Sequence, residues 1–192
     1  MRKLVVTEFI TLDGVMGEPH LWSFPYWNDE IAAFKNEELF ASDAQLLGRV
    51  TYEGFAAAWP TRSDETGTAG SEPNPFADRM NNMPKYVVST TLETADWNNS
   101  TIISDNVVDE IRKLKQQDGE NILVAGSATL VDTLLQNGLV DELHLLVYPV
   151  VPGTGKRLFR DGSASKLNLL NSRTFDTGVV LLTYGPDESE AK

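Results

Sequence analysis

Residues 4–11 (Leu4, Val5, Val6, Thr7, Glu8, Phe9, Ile10, Thr11) are almost continuously apolar or β-branched. A run of that length and composition predicts a buried strand. Asp13-Gly14 follows with turn chemistry, and Gly14 is free to take positive φ. Residues 20–27 read as a loop rich in aromatics (Trp22, Phe24, Tyr26, Trp27) with Pro19 and Pro25. The period then changes. Ile31, Phe34 and Leu39 share the inner side of a helix that Asn28 or Asp29 can cap and that runs to about residue 41. Residues 43–48 predict a short strand and 49–57 a helix. Residues 59–82 show no period and carry Pro60, Gly67, Gly70, Pro73 and Pro75. A loop of that length in a compact domain is expected to be functional or mobile. Strands are predicted over 85–89 and 100–104, the second shortly after Trp97. Asp105 or Asn106 caps a helix with Val108, Ile111 and Leu114 at helical spacing, ending near Gly119. A strand over 121–125 turns at Gly126-Ser127 into a helix over 128–136, which Asn137-Gly138 closes. A strand over 143–151 follows, and 167–170 with 174–184 read as a terminal antiparallel pair.

Strands alternating with helices, then strands alone, predict an α/β fold. It is expected to be a three-layer α/β/α sandwich, with a mostly parallel central sheet and an antiparallel C-terminal edge. The chain has 192 residues, which suits a single domain over 1–186 with a polar tail at 187–192. Lys+Arg is 16 and Asp+Glu is 28, a net charge of −12. So acidic a surface argues against nucleic acid or an anionic membrane as partner. There is no cysteine, which excludes disulfides, thiol nucleophiles and Cys-ligated metals, and fits a reducing cytoplasm. No run approaches the roughly 18 apolar residues of a spanning helix. Glu8 and Asp13 break the N-terminal apolar stretch, so no signal peptide is expected.

Candidate chemistry concentrates at two strand–Gly–helix junctions. They are Leu46-Leu47-Gly48-Arg49-Val50-Thr51-Tyr52 and Leu123-Val124-Ala125-Gly126-Ser127-Ala128-Thr129-Leu130. In each, a buried strand ends in Gly and a helix with hydroxyl residues begins at once. The first turn of a helix presents unpaired N–H groups at a positive dipole end, and Gly lets a phosphate approach the backbone. Arg49 adds a guanidinium. Two such ends at one sheet edge can hold a dinucleotide diphosphate. In the plainer reading, each Gly makes a tight turn and each Ser or Thr caps its helix. Neither junction is a G-x-G-x-x-G or Walker motif.

Four segments resemble the dihydrofolate reductase-like superfamily, and most of all the stand-alone form of the reductase (C-terminal) domain of riboflavin biosynthesis, the RibD C-terminal family. They are Thr11-Leu12-Asp13-Gly14-Val15-Met16-Gly17, Leu47-Gly48-Arg49-Val50-Thr51-Tyr52, Val124-Ala125-Gly126-Ser127-Ala128-Thr129-Leu130, and Gly138-Leu139-Val140-Asp141-Glu142-Leu143 leading to Pro149 and Gly153-Thr154-Gly155-Lys156-Arg157-Leu158-Phe159. The resemblance implies NADPH, hydride transfer to a pteridine- or pyrimidine-like heterocycle, and a homodimer. It places Gly48, Arg49, Val50 and Thr51 at the cofactor phosphates and Ser89 and Thr90 at the adenosine 2′-phosphate. Ala125, Gly126, Ser127, Ala128, Thr129 and Leu130 fall at the pyrophosphate turn, and Phe9, Ile10, Val15, Met16 and Gly17 around the nicotinamide. The folate enzymes carry a substrate-facing carboxylate on the first helix, which matches Glu30 with Asp29 beside it. Trp22, Phe34 and Tyr148 are then expected to line the substrate pocket. Ser127 stands where the family has a second Gly, often joined by a cis peptide, and the sequence leaves that bond open. Beyond Arg49, Lys156 and Arg157 no basic cluster suits a ribosyl phosphate, and no deaminase signature is present.

The two histidines carry less. His144 falls within a strand and reads as structural; His20 lies in the loop expected to cover the nicotinamide. No nucleophile–base triad can be assembled, and no carboxylates have metal-loop spacing. The alternatives to a reductase are a non-catalytic nucleotide-binding domain on the same scaffold, or an α/β interaction domain without a cofactor. Segment 143–151 is a candidate pairing surface for a dimer.

Overall fold

A computed structural model describes residues 1–63 and 74–187. Its sheet contains β1 (Leu4–Thr11), β2 (Ser42–Gly48), β3 (Lys85–Val88), β4 (Ser100–Ile103), β5 (Asn121–Val124), β6 (Glu142–Tyr148), β7 (Leu167–Thr174) and β8 (Val180–Pro186). The eight strands lie in the order β4-β3-β2-β5-β1-β6-β8-β7. The pairings from β4 through β6 are parallel; β8 runs antiparallel to β6, and β7 to β8. The helices are α1 (Asp29–Phe40), α2 (Arg49–Ala58), α3 (Pro60–Ser63), α4 (Pro75–Asn82), α5 (Val107–Gln116) and α6 (Ala128–Gln136). This is the expected α/β/α sandwich with an antiparallel edge.

The apolar run of β1 serves two cores, because successive side chains point to opposite faces. Leu4, Val6 and Ile10 pack with Ile122 and Val124 of β5 under Ile111 and Leu114 of α5 and Leu130, Val131 and Leu134 of α6. Val5 joins Leu47, Val87 and Leu123 under Leu39 of α1, Tyr52 of α2 and Met80 of α4. A third cluster gathers Ile31 of α1, Leu146 and Tyr148 of β6, Phe175, Val179 and Leu181. Asn28 caps α1, its side chain accepting from Ile31 N–H at 3.0 Å.

Several boundaries differ from expectation. The stretch 59–82 is not irregular at its ends: α3 and α4 occupy them, while Gly67, Gly70 and Pro73 lie outside the described residues. Asn74 caps α4 by accepting from Ala77 N–H, with Pro75 in the first turn where its missing N–H costs nothing. Asn106 precedes α5 in the left-handed region and makes no side-chain cap. β6 ends at Tyr148, and residues 174–184 are not one strand: Thr174 closes β7, 175–179 turn, with Phe175 N–H bonding Val179 O and Gly178 at positive φ, and β8 begins at Val180. Segment 143–151, the candidate pairing surface, offers no free sheet edge over 142–148. β6 is hydrogen-bonded on both edges, by β1 and β8, and β7 forms that end of the sheet. Of the polar tail only Asp187 is described. Among the described residues no helix is long and apolar enough to cross a membrane.

Ile122 is fully buried in β5 between β2 and β1. Ile122→Ala is expected to cost about 2–5 kcal/mol, read as a lower midpoint in urea unfolding.

Candidate functional site

β2 and β5 are neighbouring parallel strands, so α2 and α6 begin side by side at the carboxyl edge of the sheet. The chain passes β5 on its way from β1 to β2 and returns to insert it between them, which makes this edge a topological switch point. The two junctions touch. Gly48 N–H donates to Gly126 O at 3.2 Å. A Cβ on Gly48 would stand 2.5 Å from Ser127 Oγ, and one on Gly126 2.7 Å from Thr51 Oγ1. Only glycine permits this approach, and Gly126 also sits at φ +73. The Gly126–Ser127 peptide is cis. Neither Gly48 nor Ser127 caps its helix with a side chain, so first-turn N–H groups of both helices point from the corner without a capping oxygen.

Of the expected cofactor residues, Gly48, Val50, Thr51, Ala125, Gly126, Ser127, Ala128, Thr129 and Leu130 therefore share one corner. Arg49 starts α2, but its guanidinium is engaged by Glu53, with both carboxylate oxygens at 3.0 Å on the exposed surface. A different guanidinium reaches the corner: Arg160 Nη2 donates to Thr129 Oγ1. Arg160 comes from the long connection between β6 and β7, and no local pattern in the chain marks it. Ser89 and Thr90 follow β3, the neighbour of β2 on this edge. Ser89 Oγ accepts from Thr91 N–H and Leu92 N–H at 3.2 and 2.9 Å, while Thr90 is exposed.

Residues 11–17 fold back beside the corner. Thr11 Oγ1 accepts from Val15 N–H at 3.0 Å. Met16 and Gly17 N–H donate to Lys156 O at 2.8 and 3.2 Å, and Leu158 N–H to Gly14 O at 3.0 Å. Lys156 thus serves this loop through its backbone. Phe9 and Ile10, at the end of β1, complete the group expected around the nicotinamide. Beyond Phe9 the aromatics assemble on Tyr148, with ring centroids at 5.3 Å for Phe9, 5.2 Å for Trp22 and 6.0 Å for Tyr26. The Tyr148 hydroxyl is buried with no hydrogen-bond partner, and burial pushes its pKa well above the usual phenol value. Phe34 packs against Phe175 and His144 at 6.4 and 5.7 Å.

Asp29 is exposed in the first turn of α1. Glu30 is occupied: Arg173 Nη2 donates to one oxygen at 3.1 Å and Asp176 N–H to the other at 2.8 Å. Those donors hold its carboxyl below the usual value, the Asp176 N–H most strongly. Glu30 thus pins α1 to the β7–β8 turn.

The buried charges lie deeper, on both faces of β1. Under α1, Glu38 accepts from Thr7 Oγ1 at 3.0 Å and Lys35 Nζ at 2.5 Å, and bonds His144 Nδ1 at 2.5 Å. His144 Nε2 meets Glu142 at 3.2 Å. Burial opposes charge on Glu38, but Lys35 and His144 outweigh it and lower its pKa. Burial likewise opposes the imidazolium of His144, but Glu38 and Glu142 outweigh it and raise its pKa. On the opposite face Glu8 Oε1 accepts from Gly126 N–H at 2.6 Å. Burial pushes Glu8 up to about 8. His144 lies in β6, with its ring held between Glu38 and Glu142. The placement of Glu8, Lys35 and Glu38 could not be read from the chain, beyond the oddity of an acid inside an apolar strand. His20 is exposed. Among the described residues no group of acids and histidines could hold a metal.

Comparison with known proteins gives a consistent set of matches. A family model described as the RibD C-terminal domain matches residues 2–181. The uncharacterized protein YyaP of Bacillus subtilis (strain 168) is 42% identical over 188 residues, covering 95% of this chain and 94% of that protein. A putative riboflavin biosynthesis protein from Shewanella sp. PV-4 has a similar structure, with TM-score 0.67 and 19% identity over 96% of this chain and 99% of that one. Dihydrofolate reductase from Enterococcus faecalis, complexed with NADP(H) and RAB-propyl, gives TM-score 0.58 and 17% identity over 95% of each chain. At these identities the two structures speak for the fold.

The buried charges give the protein a directional response to pH. Glu38 and Glu142 have lowered pKa values, so their contribution is lost as pH falls below about 4.5. Glu8 holds its proton in the folded state up to about 8 against 4.5 unfolded, so stability declines as pH rises across that interval. The His144 contribution is present below its ordinary 6.5 and is lost as pH rises through its raised value. Urea midpoints are expected to peak near pH 5 and to fall toward pH 9, with a shallower fall in His144→Gln. Glu38→Ala, which leaves the largely buried Lys35 without its carboxylate and His144 with Glu142 alone, is expected to cost roughly 3–5 kcal/mol at pH 6.

Proposed function

The chain belongs to the RibD C-terminal domain family, and from that premise we propose that it is an NADPH-dependent reductase that delivers hydride to a pteridine- or pyrimidine-like heterocycle. The observation that carries this reading is the contact between the Gly48 and Gly126 corners. Because neither glycine leaves room for a Cβ, the two corners pack together and set two uncapped helix starts side by side, an arrangement that suits a diphosphate lying across them. The similarity in fold to a reductase complexed with NADP(H) supports the same cofactor.

NADPH, when bound, supplies the hydride. The chain's own groups bind and orient. First-turn N–H groups of α2 and α6, with Thr51, Thr129 and the Arg160 guanidinium, hold the diphosphate. Ser89 and Thr90 hold the adenosine phosphate end. Phe9, Ile10, Val15, Met16 and Gly17 enclose the reactive ring and exclude water. Trp22, Phe34 and Tyr148 form the apolar wall for a flat heterocycle. Asp29 and Glu30 provide the carboxylate that recognises a ring N–H edge, Glu30 by exchanging its bonds to Arg173 and Asp176. The cysteine-free composition fits work in a reducing cytoplasm.

A second reading, nucleotide binding without chemistry, is favoured by the occupied state of Glu30.

At a hundredfold excess over its Kd, NADPH is expected to raise Tm by about 5–10 °C. Arg160→Ala is expected to weaken NADPH by about three- to tenfold without lowering Tm of the free protein. Dihydrofolate or an aminopyrimidine should cause loss of NADPH absorbance, slowed at least tenfold in Asp29→Asn/Glu30→Gln while the Tm shift persists. A Tm shift without turnover on any such heterocycle selects the second reading; absence of any shift sinks both.

A further inference from the structure

Glu8 is an acid in the middle of a central strand, on the face that also carries Val6 and Ile10. It is 6% exposed. Among the described residues no cation lies within ion-pair distance of it; its one hydrogen bond is from Gly126 N–H at 2.6 Å. Gly126 is thereby tied at both backbone groups, since its carbonyl accepts from Gly48 N–H at 3.2 Å. A chain of two hydrogen bonds thus runs across β1, β5 and β2 where the diphosphate cradle begins. It also turns Gly126 N–H inward, away from any ligand, and leaves the anion to the first turns of α2 and α6.

We propose that Glu8 is a positioning residue for the cofactor, holding the Gly126 corner through an uncharged carboxyl group, so that NADPH affinity falls when that group ionises. The inference rests on the reductase reading above. A neutral carboxyl still accepts the Gly126 N–H, more weakly than a carboxylate would, and places no charge behind an anionic ligand; burial outweighs the preference of that N–H for the ionised form. An ionised one would put a negative charge in the dry interior behind the corner, where it would repel an anionic ligand. The charged groups acting on Glu8 are Lys35 and Glu38 from α1 and Lys156 from the connection before β7. Lys35 and Glu38 are paired to each other, so their fields oppose. Burial is the dominant influence and keeps the proton on Glu8 to about pH 8. By linkage, the bound cofactor must raise the proton affinity of Glu8 in turn.

The test is NADPH affinity of the purified protein from pH 6.5 to 9.5, with protons taken up on binding measured by calorimetry in buffers of different ionisation heat. The 2′-phosphate of NADPH titrates with its midpoint near pH 6 and is almost fully ionised by about pH 7.5, so it adds little to the change between about pH 7.5 and 9.5. If only protonated Glu8 supports binding, Kd rises about tenfold between pH 7 and pH 9, and protons are taken up at pH 8.5 but not at 6.5. Glu8→Gln keeps an acceptor for Gly126 N–H and cannot titrate, so its Kd should stay within about twofold across the range. Glu8→Leu removes the acceptor and should bind weakly at every pH. A wild-type Kd that does not change with pH overturns the inference. So does a slope that persists in Glu8→Gln, which would place the titration on another group, such as His144 on the other face of β1 or the buried Lys85. Should Glu8→Gln not fold, the wild-type profile and proton uptake decide alone. No NADPH binding at pH 6.5 overturns the reductase reading, and this inference with it.

Discussion

Two missing Cβ atoms govern the architecture of the site. Gly48 and Gly126 let the β2–α2 and β5–α6 corners interlock, with Ser127 Oγ and Thr51 Oγ1 filling the space that side chains on either glycine would need. The approach fixes the relative position of two helix starts whose first-turn N–H groups lack capping side chains. Helix dipoles and bare amides attract anions only when something holds them in place. Here the parallel pairing of β2 with β5 and the Gly48–Gly126 hydrogen bond do so.

The second constraint is charge in the core. β1 carries a polar residue to each face: Thr7 toward the Lys35–Glu38–His144 network, Glu8 toward the Gly126 corner. Burying ionisable groups is costly unless they are paired or neutral. The two faces take opposite solutions. Glu38 is ionised and surrounded by donors, whereas Glu8 is held in the acid form by burial with one N–H donor. Lys85 shows a third arrangement, fully buried with Nζ donating to three backbone carbonyls, Asn81, Met83 and Asn98, over the Trp97 ring.

The aromatic side of the site follows from the same sheet. Tyr148 ends β6 directly opposite Thr11 of β1, so the aromatics of the 20–27 loop collect on it through Trp22 and Tyr26. Phe9 joins from β1, and Lys35 stands over the Phe9 ring at 5.5 Å. The apolar wall and the buried charges are therefore contiguous, one at the carboxyl end of the central strands and the other a turn of α1 deeper.

Much of this was legible in the chain. Buried strands announced themselves as β-branched runs, and β1 matched residue for residue at 4–11. α1 and α5 followed the spacing of Ile31, Phe34 and Leu39 and of Val108, Ile111 and Leu114, while α2 and α6 began where the Gly-led junctions set them. The two Gly-led junctions were visible because local chemistry marks a strand end and a helix start. What the chain could not disclose were partners far apart along it. Arg49 looked free and is engaged by Glu53, Glu30 looked available and is held by Arg173 and Asp176, and Arg160 gave no local signal. Periodicity and propensity report on neighbours within a few residues. The pairing of 8 with 126, or 48 with 126, exists only once strand order has inserted β5 between β2 and β1.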